Sequence, residues 1–368
     1  MDLHTLGFND FFRSHFAGYQ EHGLIPARVA LEHRERYVLF SEQGELSAQL
    51  SGRFRHHASS LADYPTVGDW VAVERPDDTP KAVIHAMLTR RSSFSRKAVL
   101  AGGPKYRPGR TDEQVLAANI DTVMLVAGLD VEFNIRRVER YITVAWDSGA
   151  QPVIILNKAD LRDDPEAVKN EVERIAVGLS VYPVSAVTGA GMAELLAHLT
   201  AGATIAFLGS SGVGKSTLIN RILGEERQDT GELRKGDGRG RHTTTHRELI
   251  VLPNGGLVID TPGLREIQPW QDEGSLAKTF ADIEELIPQC RFNDCSHAAE
   301  PGCAVQAALA AGRLDPKRYQ SYLKLQKEME HLAKRRDLHA RRQQERQWDR
   351  RVRRHHQALK DLRKKGLA

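Results

Sequence analysis

The sequence predicts a multidomain protein with an N-terminal β-barrel, a central α/β domain built on a parallel sheet, and an α-helical C-terminal region. Short strand-like segments separated by turn residues fill residues 1–96. Continuous apolar runs alternate with helical patterns over residues 113–274, and helical spacing returns beyond Leu276. A chain of 368 residues is long enough for two or three domains, which agrees with these changes of pattern.

Five short strands are predicted within about 70 residues of the N-terminal domain, and a helical stretch at Phe8–Tyr19 precedes them. Five strands in a domain of this size favour a small barrel of the OB type, in which exposed aromatic rings can stack on bases. Phe54, Tyr64 and Trp70 are the aromatic candidates, although core packing is the favoured interpretation for Trp70. The predicted strands are Ala27–Leu31, Tyr37–Phe40, Leu46–Leu50, Asp69–Glu74 and Ala82–Leu88.

A basic segment rich in Arg, Lys, Gly and Pro follows at residues 97–112, and we predict a linker there. Beyond it, residues 113–274 alternate between apolar runs typical of strands buried on both faces and segments of helical spacing, which predicts a parallel α/β domain. The apolar runs are Thr122–Ala127, Pro152–Leu156, Ile205–Leu208 and Leu257–Ile259, and the helical segments are Ile135–Trp146 and Lys215–Leu223.

A phosphate-binding loop is predicted directly after the run Ile205–Leu208. Residues 209–216 fit the pattern G-x-x-x-x-G-K-[ST], and a helical segment leaves from Lys215, so a chance glycine turn is the disfavoured alternative. Backbone N–H groups of such a loop surround phosphates, the lysine reaches the β and γ phosphates, and the Ser216 hydroxyl ligates Mg²⁺. The residues expected at the nucleotide are Gly209, Ser210, Ser211, Gly212, Val213, Gly214, Lys215, Ser216 and Thr217, with Lys215 also acting in catalysis.

The string Asn157-Lys158-Ala159-Asp160 follows another predicted strand and indicates which base is bound. The carboxylate of Asp160 can accept from both the ring N–H and the exocyclic amine of guanine, which adenine cannot offer. Lys158 can lay its aliphatic stem over the base, and Asn157 can brace neighbouring loops. A helix cap at Asp160 is the alternative. Ser185 and Ala186 lie in a loop whose sequence is typical of one that places a backbone N–H on guanine O6.

Two further segments are predicted to sense the γ-phosphate. Asp260, in the string Asp-Thr-Pro-Gly, can hold Mg²⁺ through a water, and Gly263 can donate its N–H to the γ-phosphate. The stretch Gly236–Arg241 and the threonines after it occupy the place of a first switch loop. We favour Thr244 over Thr243 as the magnesium ligand and catalytic residue, and a solvated loop is the alternative.

The order of these motifs is unusual. The guanine-reading string precedes the phosphate-binding loop, so the sequence predicts a circularly permuted P-loop GTPase domain. Many GTPases carry a glutamine just after D-x-x-G that orients the attacking water, whereas this chain has Leu264 there. We therefore expect slow intrinsic hydrolysis and stimulation by a partner or another residue. His242 is the nearest catalytic candidate, and an exposed histidine that contacts phosphate or RNA is the equally favoured alternative.

The three cysteines of the chain lie together in the predicted segment 275–312. Cys290, Cys295, His297 and Cys303 form the pattern C-x4-C-x-H-x5-C, which supplies three thiolates and one imidazole for a structural Zn²⁺. Buried cysteines without a metal are the alternative. Three clustered cysteines do not make a disulfide framework and indicate a reducing compartment.

Charge is divided unevenly along the chain. Residues 313–368 hold 19 Lys and Arg against 7 Asp and Glu, a net of +12, while the whole chain is +4 and the rest therefore −8. This basic helical tail predicts a polyanionic partner, and a solvated helix is the alternative. We see neither a secretory signal nor an apolar run that would span a membrane, so we expect a cytoplasmic protein without a membrane partner. We also expect a monomer.

These motifs together resemble the RsgA (YjeQ) family of circularly permuted ribosome-biogenesis GTPases. The resemblance covers the barrel, Ala118-Asn119-Ile120-Asp121, the permuted order, residues 240–245 and the cysteine cluster. It implies a GTPase that binds the small ribosomal subunit late in its assembly, in the GTP state, through the OB and zinc domains. It also implies stimulation by the subunit and release on hydrolysis. A GTP-regulated RNA-binding scaffold remains open, and a translation factor acting on assembled ribosomes is disfavoured by the permutation.

Overall fold

The computed structural model describes residues 1–33, 36–75, 81–99, 111–224, 247–260, 273–298 and 300–331. The chain forms two compact units. The first comprises Met1–Pro269 with Ala277–Ala281, and the second comprises Trp270–Leu276 with Asp282–Ala368. Within the described ranges, no helix combines the length and apolar character needed to cross a bilayer.

The first unit begins with helix α1 (Asp10–Gln20) and a five-stranded barrel, which confirms the predicted N-terminal domain. Around the barrel the strands run β1-β2-β3-β5-β4 and close by pairing β4 with β1. Only β3 and β5 pair in parallel, and the short helix α2 (Gly52–His57) lies between β3 and β4. The strands are β1 (Ile25–His33), β2 (Arg36–Ser41), β3 (Gly44–Leu50), β4 (Trp70–Glu74) and β5 (Lys81–Met87).

Apolar and polar residues alternate along these strands, and the apolar side chains fill the interior of the barrel. Val29, Leu39 and Ile84 are among its fully buried residues, and Phe54 and Tyr64 pack against them while partly exposed. Trp70 is fully buried outside this cluster, with its ring 4.8 Å from the ring of Phe8. Trp70 is therefore a core residue, as favoured from the sequence.

Residues on both sides of the predicted linker form a hairpin, which corrects that prediction. Strand β6 (Ser93–Val99) pairs antiparallel with β7 (Thr111–Ala118), so residues 97–99 and 111–112 lie in strands. Residues 100–110 are outside the described ranges. The charged and glycine-rich composition of this segment gave no strand pattern. The strands form nevertheless, because backbone N–H and C=O groups can pair whatever side chains the residues carry. The buried Phe94 and Leu116 anchor the hairpin in the core.

The α/β domain follows the predicted alternation. Its strands are ordered β10-β9-β8-β11-β13-β12, and all neighbours are parallel except β13 and β12. Helices cover both faces, and two buried clusters form the cores. The elements are β8 (Thr122–Gly128), α3 (Ile135–Ser148), β9 (Gln151–Asn157), α4 (Pro165–Ile175), β10 (Val181–Pro183), α5 (Met192–Leu196), β11 (Thr204–Leu208), α6 (Lys215–Leu223), β12 (Glu248–Val251) and β13 (Leu257–Asp260).

The barrel and the α/β domain share one continuous sheet, because β12 pairs with β1 through Glu248 and Leu31. Beside this contact, the guanidinium of Arg28 is buried and donates to three backbone carbonyls. These belong to Leu6 at 2.6 Å, Asn119 at 3.0 Å and Gly68 at 3.2 Å. Burial lowers the pKa of Arg28 to about 10, against the raising effect of nearby aspartates. The arginine thus joins the N-terminal segment, the barrel and the start of the α/β domain.

The C-terminal region is helical, as predicted. Helix α7 (Glu273–Thr279) spans the boundary of the two units and is followed by α8 (Ala281–Glu284), α9 (Ala304–Ala310) and α10, residues 316–331. In the second unit, the buried guanidinium of Arg318 forms a two-bond ion pair with Asp282, at 2.7 and 2.8 Å. The Tyr322 hydroxyl donates to Glu284 at 3.0 Å. These bonds fix α10 against α8 inside that unit.

Candidate nucleotide and metal sites

The nucleotide motifs meet at one edge of the sheet. Strands β8, β9, β10, β11 and β13 are parallel, so the residues that follow them gather where their carboxyl ends lie. The guanine-reading string leaves β9, Ser185 and Ala186 lie just beyond β10, and the phosphate-binding loop leaves β11. Asp260, half-buried, is the last residue of β13. Segments separated by up to about a hundred residues are thus brought together, as parallel topology predicts.

Local geometry explains two glycines of the phosphate-binding loop. A Cβ atom at Gly209 would lie 2.3 Å from the carbonyl oxygen of Val126, in neighbouring strand β8, so a side chain there would push the loop away from the sheet edge. Gly214 has φ of +92°, a conformation that other residues rarely adopt, and a Cβ there would lie 2.3 Å from the side-chain amide nitrogen of Asn157. Both positions therefore favour glycine.

The Lys215 ammonium lies over this loop. It donates to the carbonyl oxygens of Gly209 at 2.8 Å and Ser210 at 2.6 Å. Helix α6 starts at the same residue, so its N-terminal N–H groups and positive dipole end face the loop. Ser216 and Thr217 occupy the first turn and are half-buried. Positive charge and the N–H groups of a helix N-terminus thus lie at the loop, an arrangement suited to binding polyphosphate.

Asn157 braces two loops, which agrees with the role predicted for it. Its side chain is buried, donates from Nδ2 to the Val213 carbonyl at 2.8 Å, and accepts at Oδ1 from the N–H of Ala186 at 3.1 Å. One amide therefore connects the phosphate-binding loop to the loop after β10. The N–H of Ala186 is engaged in this contact, and the assignment of Ala186 to guanine stays a prediction.

Lys158 adopts a left-handed backbone conformation with φ of +63°, and its ammonium pairs with Asp130 at 2.7 Å. Burial tends to raise the pKa of Asp130, but the hydrogen bonds and charge it receives, chiefly from Lys158, lower it. Arg162 donates to the carbonyls of Leu129 and Asp130, at 2.9 and 3.2 Å. The Lys158 stem is thereby held beside the end of β8.

Asp160 lies in a single turn of 3-10 helix, and its side chain is exposed. The preceding N–H, of Ala159, donates to the Val184 carbonyl at 3.0 Å, which ties this turn to the loop after β10. In that loop the buried Ser185 accepts at Oγ from the N–H of Thr188 at 3.1 Å. The carboxylate of Asp160 therefore stands on a braced turn and is open to a ligand.

Several predicted residues lie outside the described ranges. Gly263, His242, Thr244, the alternative Thr243, and Leu264 are among them, as is the tail beyond residue 331. Their assignments stay predictions.

The sequence analysis missed three residues that contact the site. Asp130 pairs with Lys158, while Arg137 and Tyr141 of α3 contact the side chain of Ser210 at 3.1 and 2.9 Å. None belongs to a nucleotide motif. Their only sequence signal is position: Asp130 follows a buried strand, and Arg137 and Tyr141 are four apart in a helix and share a face.

The cysteine cluster forms a possible metal centre in the second unit. The ligand atoms of Cys290, Cys295, His297 and Cys303 all lie within 4.8 Å of one another. Cys290 and Cys303 sulfurs are 3.9 Å apart, and His297 Nδ1 lies 3.5 and 3.6 Å from them. A tetrahedral zinc ion, with bonds of about 2.3 Å to sulfur and 2.0–2.1 Å to nitrogen, would need about 3.8 Å and 3.6 Å. Cys290, His297 and Cys303 match these separations, and Cys295 lies within 4.8 Å of them, so the four residues could hold a metal ion.

The chain around the cluster is fixed independently of any metal. The Glu300 carboxylate accepts from the N–H of Ser296 at 2.9 Å and of Ala298 at 3.0 Å. The His297 carbonyl accepts from Gln306 Nε2 at 2.6 Å. Burial and the neighbouring thiols raise the pKa of Cys295 to about 11. A bound cation would favour the thiolate form, so metal binding at this cluster would release the thiol protons.

A phosphate-binding loop at the carboxyl edge of a parallel sheet, with a guanine-reading string earlier in the chain, defines a circularly permuted P-loop GTPase. The RsgA GTPase family matches residues 93–270. The small ribosomal subunit biogenesis GTPase RsgA of Opitutus terrae is 52% identical over 347 residues, covering 92% of each chain. YjeQ of Thermotoga maritima has a TM-score of 0.60 and 29% identity, over 83% of this chain and 98% of its own. YloQ, a circularly permuted GTPase, shares the fold with a TM-score of 0.59 and 24% identity, over 84% and 96% of the two chains.

The chain belongs to the RsgA family, which confirms the resemblance seen in the sequence. It is a GTP-hydrolysing enzyme of a family that acts in ribosome biogenesis.

Proposed function

We propose that this GTPase acts in late maturation of the small ribosomal subunit, binds the subunit and its rRNA in the GTP state, and is released on hydrolysis. The observation that supports this best is the 52% identity, over 92% of the chain, to a GTPase named for biogenesis of that subunit. The basic tail, net +12 over residues 313–368, supports contact with rRNA phosphates.

Guanine selection is assigned to Asp160 and Lys158. The exposed carboxylate of Asp160 stands on a turn that is fixed by main-chain bonds to the loop after β10. A carboxylate accepts two hydrogen bonds from guanine, and its charge would be left unpaired against adenine, so ATP is rejected. In Asp160→Asn the amide can donate where the carboxylate accepted. We expect GTP affinity to fall at least about 100-fold and affinity for a xanthine nucleotide to rise.

The assigned phosphate and magnesium residues follow from the same edge. Lys215 and the loop N–H groups hold the phosphates, the Ser216 hydroxyl offers Mg²⁺ a hard oxygen ligand, and Asp260 holds the ion through a water. Bound Mg²⁺ would neutralise charge on the β and γ phosphates. On sequence alone, Thr244 is assigned to Mg²⁺ and the γ-phosphate, and Gly263 to the γ-phosphate.

Water activation is assigned to His242, because Leu264 cannot polarise a water. His242→Ala should leave GTP affinity intact and lower subunit-stimulated turnover. Unchanged stimulated turnover would exclude this role and leave His242 as a phosphate- or RNA-contacting residue.

The metal is proposed to be one structural Zn²⁺, held by Cys290, Cys295, His297 and Cys303. Four protein ligands leave no open position for catalysis, so its contribution is to the folding of the second unit. We also retain the predictions of a cytoplasmic monomer and of domain boundaries near residues 274 and 312.

The test is GTP turnover with and without purified small subunits, with full ribosomes and ATP in parallel. We expect strong stimulation by free small subunits, specific to GTP. Equal or greater stimulation by full ribosomes would favour a translation factor. GTP binding with no stimulation by either particle would overturn the proposal and favour a nucleotide-regulated RNA-binding scaffold.

A further inference from the structure

Two side chains of α3 hold the phosphate-binding loop at Ser210. Arg137 Nη1 donates to the Ser210 hydroxyl at 3.1 Å, and the Tyr141 hydroxyl lies 2.9 Å from the same oxygen. The two residues are one helical turn apart on one face of α3. They are 73 and 69 residues from Ser210 in sequence, so the contact depends on the tertiary fold.

The backbone of Ser210 is tied to the lysine of the loop at the same time. Its carbonyl oxygen accepts from Lys215 Nζ at 2.6 Å. A phosphate-binding loop works through the directions of its N–H groups, which the backbone dihedrals set. A contact that fixes the orientation of Ser210 therefore also fixes the neighbouring N–H groups and the position of the lysine.

The loop is consequently held at both ends. Asn157 bonds to the Val213 carbonyl at 2.8 Å near the second end, and α3 holds Ser210 near the first. A loop fixed at two points loses less conformational freedom when it binds phosphates. We expect this smaller loss of conformational entropy to appear as tighter nucleotide binding.

We propose that Arg137 and Tyr141 are positioning residues of the GTP site, which keep the phosphate-binding loop in its binding conformation through the Ser210 hydroxyl. This inference rests on the proposed assignment of residues 209–217 to the nucleotide. In this proposal both residues act through Ser210, whose hydroxyl they contact.

The central test uses the full chain and a fluorescent GDP analogue with Mg²⁺. Tyr141→Phe removes one hydroxyl, and Ser210→Ala removes the oxygen that both α3 residues contact. We expect Kd to rise about three- to tenfold for each variant, with Ser210→Ala the weaker binder. The double variant should bind as Ser210→Ala does, because its two changes remove a shared contact. Arg137→Ala should weaken binding about two- to fivefold, since its side chain is exposed.

Matched controls come from the same domain. Tyr182→Phe removes a hydroxyl that lies 3.1 Å from His198, and Arg174→Ala removes an exposed arginine on α4. Both should bind the GDP analogue as the unaltered chain does. Turnover adds a second readout: Tyr141→Phe should raise KM for GTP and leave kcat at saturation unchanged. A purely structural role would lower the melting temperature and the active fraction without changing Kd.

Lys215→Ala distinguishes failure of the phosphate-binding assignment from failure of the positioning role of Arg137 and Tyr141. If it binds GDP as tightly as the unaltered chain, the assignment of the loop to phosphates fails. If it loses binding while Tyr141→Phe and Ser210→Ala keep their affinity, or lose it additively, only the positioning role fails.

Discussion

Asn157→Ala should separate the phosphate-binding loop from the guanine-binding edge while leaving Asp160 and Lys158 in place. The Asn157 side chain is 2% exposed and makes bonds of 2.8 Å to the Val213 carbonyl and 3.1 Å to the Ala186 N–H. Both partners would be left buried without their bond. At about 1–2 kcal/mol for each, the loss is roughly 2–4 kcal/mol.

Both lost bonds belong to loops of the nucleotide site, so we expect most of this free energy to appear in nucleotide affinity. A loss of about 2–4 kcal/mol corresponds to a Kd raised about 30- to 700-fold. Titration with a fluorescent GDP analogue measures Kd, and thermal unfolding with and without GDP measures how much of the loss reaches global stability.

Asn254→Ala is the matched control. Asn254 also donates one bond and accepts one, at 2.8 Å to the Leu199 carbonyl and 3.0 Å from the Gly256 N–H, in the turn between β12 and β13. It should lower stability slightly and leave Kd unchanged. If the Kd of Asn157→Ala for GDP lies within about threefold of that of the unaltered chain, the two hydrogen bonds of Asn157 contribute little to nucleotide affinity and the expected loss of about 2–4 kcal/mol is wrong.

Three further predictions concern the framework around the site. Arg28→Met should lower the free energy of unfolding, measured by urea titration, by about 2–4 kcal/mol. Three buried carbonyls lose their donor, and relief from the cost of burying the arginine charge offsets part of that loss. A change below about 1 kcal/mol would contradict this. Gly68→Ala should be much more destabilising than Gly44→Ala, since both have positive φ but only the first would place a Cβ 2.1 Å from a carbonyl, that of Ala118; equal melting temperatures would refute the crowding argument. Cys303→Ser should reduce zinc, measured by elemental analysis, from one equivalent to a small fraction and lower helical circular dichroism, whereas an unchanged metal content would remove this residue from the ligand set.

Strongly periodic elements were predictable from sequence. The barrel strands and helix α6 were found because alternation and helical spacing report burial directly. The hairpin of β6 and β7 was missed because Arg, Lys and Gly dominate its surroundings, while its pairing is made by the backbone. The predicted linker was therefore wrong at both ends.

Motif residues of the site were predictable for a different reason. A phosphate-binding loop has few chemical solutions, so Lys215 and the glycines around it carry their own signature. The supports have no such constraint. Arg137 and Tyr141 could be replaced by other donors on another helix, and only the tertiary fold shows that they reach Ser210. The Asp130–Lys158 pair was missed for the same reason.

The junction between barrel and α/β domain has a consequence for exchanging domains within the family. All three acceptors of Arg28 are main-chain carbonyls, and β1 meets β12 through the backbone, so these contacts do not depend on the side chains of their partners. Gly7 and Gly68 are exceptions, because a Cβ would lie 2.9 Å from Arg28 Nη1 at the first and 2.1 Å from the Ala118 carbonyl oxygen at the second. Asn119, with φ of +56°, is also under backbone constraint. A barrel from a distant relative should therefore be transplantable onto this GTPase if it brings the arginine and both glycines with it.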